Sequence, residues 1–339
     1  MNNKPLIIAG PCSAETEKQV LETARELSKL GVGVFRAGVW KPRTKPSGFQ
    51  GAGEKSLAWL KIVQQKFGMK TAVEVANTQH VALALNAGID ILWLGARTVT
   101  NPFAVQEIAD ALQGCDVPIL VKNPVTPDVE LWLGAVERLQ NAGIQHIMAV
   151  HRGFGVGDAL YRNTPQWHVP IEFRRRMPDI TMLCDPSHIA GQKTLVAKVA
   201  QQAMQLSFSG LMLEVHCCPS EALSDANQQI TPKELAELLQ NLVINQTDSK
   251  TEILTQLRQR IDDLDSSLIE IISQRMKISQ EIGDYKKKNS IAVLQSNRYN
   301  EILQQCINQA ISKNLNSDFI KKIFEIIHEE SIKTQFEHR

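Results

Sequence analysis

Short apolar runs alternate with amphipathic stretches from residue 6 to about residue 245. The apolar runs are Leu6–Cys12, Val32–Gly38, Lys70–Val75, Ile91–Ala96, Pro118–Asn123, His146–His151, Thr181–Asp185 and Gly210–His216. Runs of this length, without strict alternation, read as strands buried on both faces. The stretches Glu17–Lys29, Lys55–Phe67, Thr78–Asn86, Ala104–Leu112, Asp128–Asn141, Lys193–Leu206 and Pro232–Leu242 carry apolar residues at helical spacing. Eight strands alternating with helices predict an α/β fold, a (β/α)8 TIM barrel. An open doubly wound sheet is the competing topology, but no G-x-G-x-x-G follows the first strand.

The polar stretch Asn245–Lys250 interrupts the pattern. The sequence thus predicts a barrel over 1–245, a linker over 246–250 and a second domain over 251–339. No strand signal follows. Leu254, Leu257, Ile261, Leu264, Leu268, Ile271, Ile278 and Ile282 mark one seam of a helix over about 251–288. That is long for a globular helix and suggests an extended or interchain one. Two further helices are expected at about 295–312 and 316–337. The second domain is therefore read as a small, all-α, three-helix, dimeric unit.

Composition narrows the class. The chain is 43% hydrophobic and 22% charged, as ordinary globular proteins are. A formal net charge of +1 gives no basis for a nucleic-acid partner. No apolar run approaches membrane-spanning length. Met1–Pro5 lead straight into a strand, so no signal peptide is read. The cysteines at 12, 115, 184, 217, 218 and 306 lack the spacing of a secreted scaffold, and the vicinal pair Cys217–Cys218 reads as packing at a strand end. The expectation is a reduced, cytoplasmic protein with neither a nucleic-acid nor a membrane partner.

Every predicted strand ends in chemistry. Cys12 follows the first, Arg36 and then Lys41-Pro42-Arg43-Thr44 the second, and Glu74 the third. Arg97, Lys122, His151 with Arg152, Asp185 with His188, and Glu214 with His216 follow the rest. In a (β/α)8 barrel these residues share one mouth. Six cations there (Arg36, Lys41, Arg43, Arg97, Lys122 and Arg152) would repel one another unless an anion bound. Phosphate- and carboxylate-bearing substrates fit, since Arg meets both bidentately. Cys12, His188, Glu214 and Asp225 form a mixed thiol, imidazole and carboxylate set suited to a divalent transition metal. On the residues alone, Cys12 could equally be a small packing side chain and His188 a cap.

Gly10-Pro-Cys-Ser13, Arg36, Lys41-Pro-Arg-Thr44, Gly95-Ala-Arg97, Val121-Lys122, His151-Arg-Gly153, Asp185-Pro-Ser-His188 and Glu214-Val-His216 together resemble 3-deoxy-D-arabino-heptulosonate 7-phosphate (DAHP) synthases. The resemblance covers about residues 5–245 and is to the short-barrel type, akin to 3-deoxy-D-manno-octulosonate 8-phosphate synthases. Five residues precede the first strand, so the regulatory N-terminal extension of some relatives is expected to be absent. The resemblance implies condensation of phosphoenolpyruvate with erythrose 4-phosphate. It makes Cys12, His188, Glu214 and Asp225 ligands of a divalent metal ion (Mn, Co, Zn or Fe). It assigns Arg97, Lys122 and Arg152 to phosphoenolpyruvate, with Arg36 and Lys41 beside them, and Lys41, Pro42, Arg43 and Thr44 to erythrose 4-phosphate. Lys41, His151, Glu74 and metal-bound water are the candidates for proton transfer. The rival octulosonate synthases typically carry Lys-Ala-Asn-Arg-Ser in the acceptor loop, where this chain has Lys41-Pro-Arg-Thr44.

Arg275 falls on the apolar seam of the long helix, where a buried cation needs an anion. Residues 251–337 resemble the all-α chorismate mutases through Leu257-Arg258, Arg275, Lys286, Arg298, Ser331 and Gln335. The resemblance implies rearrangement of chorismate to prephenate, with Arg258 supplied by a partner subunit in a homodimer. Family members usually carry Asp and Glu where this chain has Gln295 and Tyr299. A ligand-sensing dimerisation module with little catalysis is the alternative, and prephenate feedback on the barrel is expected.

Overall fold

The computed structural model describes residues 4–41, 48–157, 160–244 and 252–337. The chain divides into two compact units, Met1–Thr247 and Asp248–Arg339. Pro42, Arg43, Thr44 and the expected linker at 246–250 lie outside the described residues.

Eight parallel strands close the first unit into a barrel in sequence order. They are β1 (Leu6–Gly10), β2 (Val34–Arg36), β3 (Lys70–Val75), β4 (Ile91–Leu94), β5 (Ile119–Lys122), β6 (Ile147–His151), β7 (Thr181–Cys184) and β8 (Gly210–Glu214). Closure comes from β1 against β8, with Leu6 opposite Gly210 and Gly10 opposite Glu214. Most strands are shorter than the apolar runs. The surplus residues lie just past the ladder: Cys12 beside Asp225, and His216 beside Glu15 and the Cys218 backbone.

Ten helices surround the strands among the described residues: α1 (Glu17–Lys29), α2 (Lys55–Phe67), α3 (Thr78–Asn86), α4 (Ala96–Val99), α5 (Pro102–Ala111), α6 (Val129–Asn141), α7 (His168–Arg176), α8 (Pro186–Ala190), α9 (Lys193–Gln205) and α10 (Pro232–Asn241). Their starts follow capping chemistry. Thr16, Asn77, Asn101, Asp128 and Asp185 accept backbone N–H groups at five starts, and Thr231 with Glu234 forms a capping box at α10. Helix α1 therefore begins just after Thr16, where the spacing of its apolar residues places it. Helix α7 escapes the periodicity because its last turn is Arg174-Arg-Arg176. Helices α4 and α8 are too short to show one.

The second unit holds α11 (Glu252–Lys288), α12 (Ser296–Ser312) and α13 (Ser317–Glu337). Helix α13 packs against both others. Gly283 of α11 is buried where α13 crosses; a Cβ there would lie 3.1 Å from both Cα and Cγ of Gln335. The first half of α11 behaves otherwise. Ile253, Leu257, Ile261, Leu264, Leu268 and Ile271 are 47–70% exposed. No helix among the described residues is long and apolar enough to cross a membrane.

Candidate functional sites

Strand alternation builds the barrel site in layers. Ile8, Val34, Ala72, Ile91, Trp93, Leu120, Val150, Leu183 and Met212 fill the barrel interior. Two residues beyond the last of these on each strand stand Gly10, Arg36, Glu74, Gly95, Lys122, Arg152, Asp185 and Glu214. A charged layer thus sits directly on an apolar one. Trp93, fully buried, is its floor: Arg36 Cζ lies 4.8 Å and Lys122 Nζ 5.9 Å from the indole centroid.

One side of this layer is rich in metal-type donors. Cys12 Sγ and the carboxylates of Glu214 and Asp225 present ligand atoms all within 4.8 Å of one another. Cys12 Sγ donates to Asp225 Oδ2 at 3.3 Å. His188 Nε2 lies 3.7 Å from Glu214 Oε1, while its Nδ1 sits 2.8 Å from Asp185 Oδ2. A proton on Nδ1, facing the Asp185 carboxylate, would leave the Nε2 lone pair toward the cluster, the usual arrangement for a metal-binding histidine. Burial and the Glu214 charge push the Cys12 thiol up to about 12. Burial pushes the Glu214 carboxyl up too, but His188, Arg36 and Lys41 outweigh it and hold the group at about 2. Two ionised carboxylates, a thiol able to lose its proton and an oriented imidazole fit a divalent transition metal.

Cations line the rest. Arg36 donates to Glu214 Oε1 at 3.0 Å and to the Cys12 carbonyl at 3.2 Å. Lys41 Nζ donates to that carbonyl at 3.1 Å and to Cys12 Sγ at 3.2 Å. Lys122 donates to Asp185 Oδ2 at 2.7 Å, so Asp185 joins the cationic side to His188. Arg152 donates to Asn163 Oδ1 at 2.8 Å. Burial lowers its guanidinium to about 10, and Arg162 and Arg97 act in the same direction against Asp185. Cations crowded and dehydrated in this way gain most from a bound anion.

Several placements depart from the sequence expectation. Arg97 lies on α4, one turn beyond β4, and His188 on α8; neither is at a strand end. Both still reach the mouth layer, as the effect of Arg97 on Arg152 shows for the first. His151 has the opposite parity to Arg152. It faces outward and is fully buried among Trp132, Phe154, Trp167 and Phe208, at centroid distances of 5.1–6.5 Å. It is therefore no proton-transfer group. Glu74 and Lys41 remain beside the donor cluster: Lys41 Nζ lies 3.2 Å from Cys12 Sγ, and the Glu74 charge favours the protonated forms of Arg36 and Lys41.

The sequence places Asp185 at the mouth without a role, and it does not single out Gln228, Arg162 or Asn163. Asp185 links the two halves of the site, Gln228 donates to Glu214 Oε2 at 2.6 Å, and Arg162 lies 3.1 Å from Asp225 Oδ1. Asn163 supports Arg152. Only Asp185 had a positional signal, as the last charged residue of its apolar run.

In the helical unit, Arg275 donates to Ser331 Oγ, and Lys286 donates to the Val293 carbonyl at 2.7 Å and to Gln335 Oε1 at 3.4 Å. Ser331 and Gln335 are buried. A cleft of about 360 Å³ lies beside Lys286, lined by Ile278, Ile282, Tyr285, Ile291 and Gln295 among others. Arg298 is exposed and pairs with Glu301 at 3.1 Å. Arg258 is exposed about 25 Å along α11 from Arg275, so these two are not brought together within the unit.

A closed (β/α)8 barrel with a charged, cation-lined mouth above an apolar floor defines an enzyme of the barrel class, here fused to a helical unit with half-buried cations of its own, Arg275 and Lys286. Residues 1–251 match the DAHP synthetase I family and residues 257–336 match chorismate mutase type II, so the chain belongs to the DAHP synthetase I family and carries a C-terminal chorismate mutase domain. Both are families of enzymes. Over 237 residues the chain is 35% identical to the phospho-2-dehydro-3-deoxyheptonate aldolase of Thermotoga maritima, covering 70% of this chain and 68% of that protein. The crystal structure of a Thermotoga maritima protein of that name matches with a TM-score of 0.64 and 33% identity over 70% of this chain and 68% of that one. The 2-dehydro-3-deoxyphosphooctonate aldolase of Wolinella succinogenes is 27% identical over 259 residues, which cover 70% of this chain and 98% of that protein.

Proposed function

We propose that the barrel condenses phosphoenolpyruvate with erythrose 4-phosphate, giving 3-deoxy-D-arabino-heptulosonate 7-phosphate and inorganic phosphate. The observation that carries this is the juxtaposition of the Cys12, Glu214 and Asp225 donors with Arg36, Lys41, Lys122 and Arg152 in one mouth. A bound divalent metal (Mn, Co, Zn or Fe) would supply Lewis-acid polarisation of an aldehyde oxygen. Cys12, His188, Glu214 and Asp225 would hold it. Arg97, Lys122 and Arg152 bind the phosphate and carboxylate of phosphoenolpyruvate. Lys41, with Pro42, Arg43 and Thr44, holds the aldose phosphate against the enol carbon. Glu74 and Lys41 are the groups placed to move a proton.

The test is the ratio of kcat/KM for erythrose 4-phosphate to that for arabinose 5-phosphate. A ratio above one supports this reading. A ratio below one makes the barrel an octulosonate 8-phosphate synthase, the rival suggested by the 2-dehydro-3-deoxyphosphooctonate aldolases among its relatives.

The helical unit rearranges chorismate to prephenate. Arg275, Lys286, Arg298, Ser331 and Gln335 bind the dianion and its ether oxygen, and Arg258 enters from a second copy. The exposed apolar face of α11 supports a homodimer, because a monomer would leave it in water. Thiol ligation by Cys12 needs a reduced compartment, which suits the cytoplasm. Prephenate held in the helical unit inhibits the barrel, with reciprocal weakening of prephenate by barrel substrates. Should wild type turn over no chorismate yet still bind prephenate, the unit is a sensor.

A further inference from the structure

Helix α13 carries a third inward polar residue that the sequence reading passed over. His328, Ser331 and Gln335 fall at i, i+3 and i+7, on one face. Ser331 is committed to Arg275 and Gln335 to Lys286. His328 is committed to neither. Its Nε2 is buried and has no hydrogen-bond partner among the described residues. Native folds leave few buried polar atoms in that state, and sites that await a ligand are among the exceptions.

The surroundings of the ring say what it can do. Burial, Arg275 and Lys286 all act to lower the proton affinity of His328, which favours the neutral imidazole. A neutral imidazole beside two cations cannot repel an anion drawn between them. It adds a directional hydrogen bond where their charge supplies attraction without direction. Its ring plane is also fixed: Tyr299, on α12, lies over it with centroids 4.3 Å apart and planes 33° apart. The stack ties all three helices to one spot, because Arg275 and Lys286 come from α11, Tyr299 from α12 and His328 from α13.

We propose that His328 is a ligand-contacting residue of the helical site, whose Nε2–H donates to an oxygen of the dianion held by Arg275 and Lys286, with Tyr299 as the positioning residue that sets its ring. The proposal rests on the mutase reading of this unit.

The experiment uses the full chain. Prephenate affinity is measured by calorimetry and chorismate turnover by initial rates, for wild type, H328L, H328Q and H328N. A Gln amide nitrogen reaches the place of Nε2, whereas an Asn amide reaches that of Nδ1. H328L is expected to weaken prephenate about tenfold or more, the worth of one hydrogen bond to a charged acceptor. H328Q should recover binding to within about threefold of wild type, and H328N should not. Synthase activity stays unchanged in all three. Y299F should match wild type while Y299L behaves as H328L does. Prephenate binding by H328L within twofold of wild type overturns the proposal. So does an H328Q protein no better than H328L, which would mark a packing role. If H328L loses the helical unit's circular dichroism, the H328Q against H328N comparison decides alone. Wild type that neither binds prephenate nor turns over chorismate, with the synthase intact, removes the mutase reading and this inference with it.

Discussion

The carboxylate of Glu74 fills the space that a side chain at residue 95 would need: a Cβ on Gly95 would lie 2.0 Å from Glu74 Oε1. Glu74 is on β3, paired in register with Trp93, and Gly95 lies two residues past Trp93, just beyond β4. Glycine here is a requirement of the site and not of the backbone, because Gly95 has an ordinary extended φ of −73°.

Gly95→Ala is therefore expected to displace Glu74 from Arg36 and Lys41. Synthase kcat/KM should fall about tenfold or more, with a stability loss of about 1–3 kcal/mol from overpacking. A double-mutant cycle with Glu74→Ala checks the cause. The Gly95→Ala penalty should shrink once the carboxylate is gone, and an undiminished penalty would assign it elsewhere.

Metal dependence follows from the donor set at Cys12. Chelation should abolish condensation, and Mn²⁺, Co²⁺, Zn²⁺ or Fe²⁺ should restore it. Cys12→Ala should stay inactive after metal addition, by more than the roughly 10- to 100-fold typical of lost supporting residues. Activity in exhaustively metal-free protein would refute the donor assignment.

Arg275→Ala should lose about 3 kcal/mol of transition-state stabilisation in chorismate rearrangement, as removal of a single preorganised donor generally does. The same variant should leave synthase kcat intact and relieve its inhibition by prephenate. Inhibition equal to wild type would place prephenate outside the helical unit.

His151 sets a pH limit on barrel stability. Burial holds its imidazole down at about 3, against an ordinary value of 6.5. The folded value is the depressed one, so the unfolded chain binds the extra proton between these limits. Stability from this group is whole above about pH 6.5 and declines as pH falls toward 3. At pH 5 the loss is about 2 kcal/mol. Urea unfolding at pH 7 and pH 5 checks it: the difference between the two should shrink by about that amount in His151→Phe.

Much of the barrel was legible because each strand interior is an uninterrupted apolar run, and the charged residue that ends it marks the mouth. Parity within the run was less legible. His151 and Arg152 are neighbours, both titratable, yet one faces an aromatic layer and the other the mouth. Only the register of β6 tells them apart. Asn163 and Arg162 come from a loop and Gln228 from a single 3-10 turn, Ala226–Gln228, none with a periodicity, so nothing local marked them. In the helical unit, the basic residues stood out on an apolar seam, but His328 needed the position of Tyr299 on another helix to acquire a meaning. Pro42, Arg43 and Thr44 lie outside the described residues, so that part of the acceptor assignment rests on the motif.

Under the homodimer proposed above, the exposed first half of α11 makes the helical unit a chemical species whose existence depends on concentration. Six large aliphatic side chains there are exposed among the described residues, and a helical segment this long is more stable in water when its apolar face is covered. In such a dimer folding and association would share one equilibrium, in which each tenfold dilution costs about 1.4 kcal/mol of association free energy. Mutase activity per chain should accordingly fall on dilution while the barrel, whose core closes within one chain, keeps its specific activity.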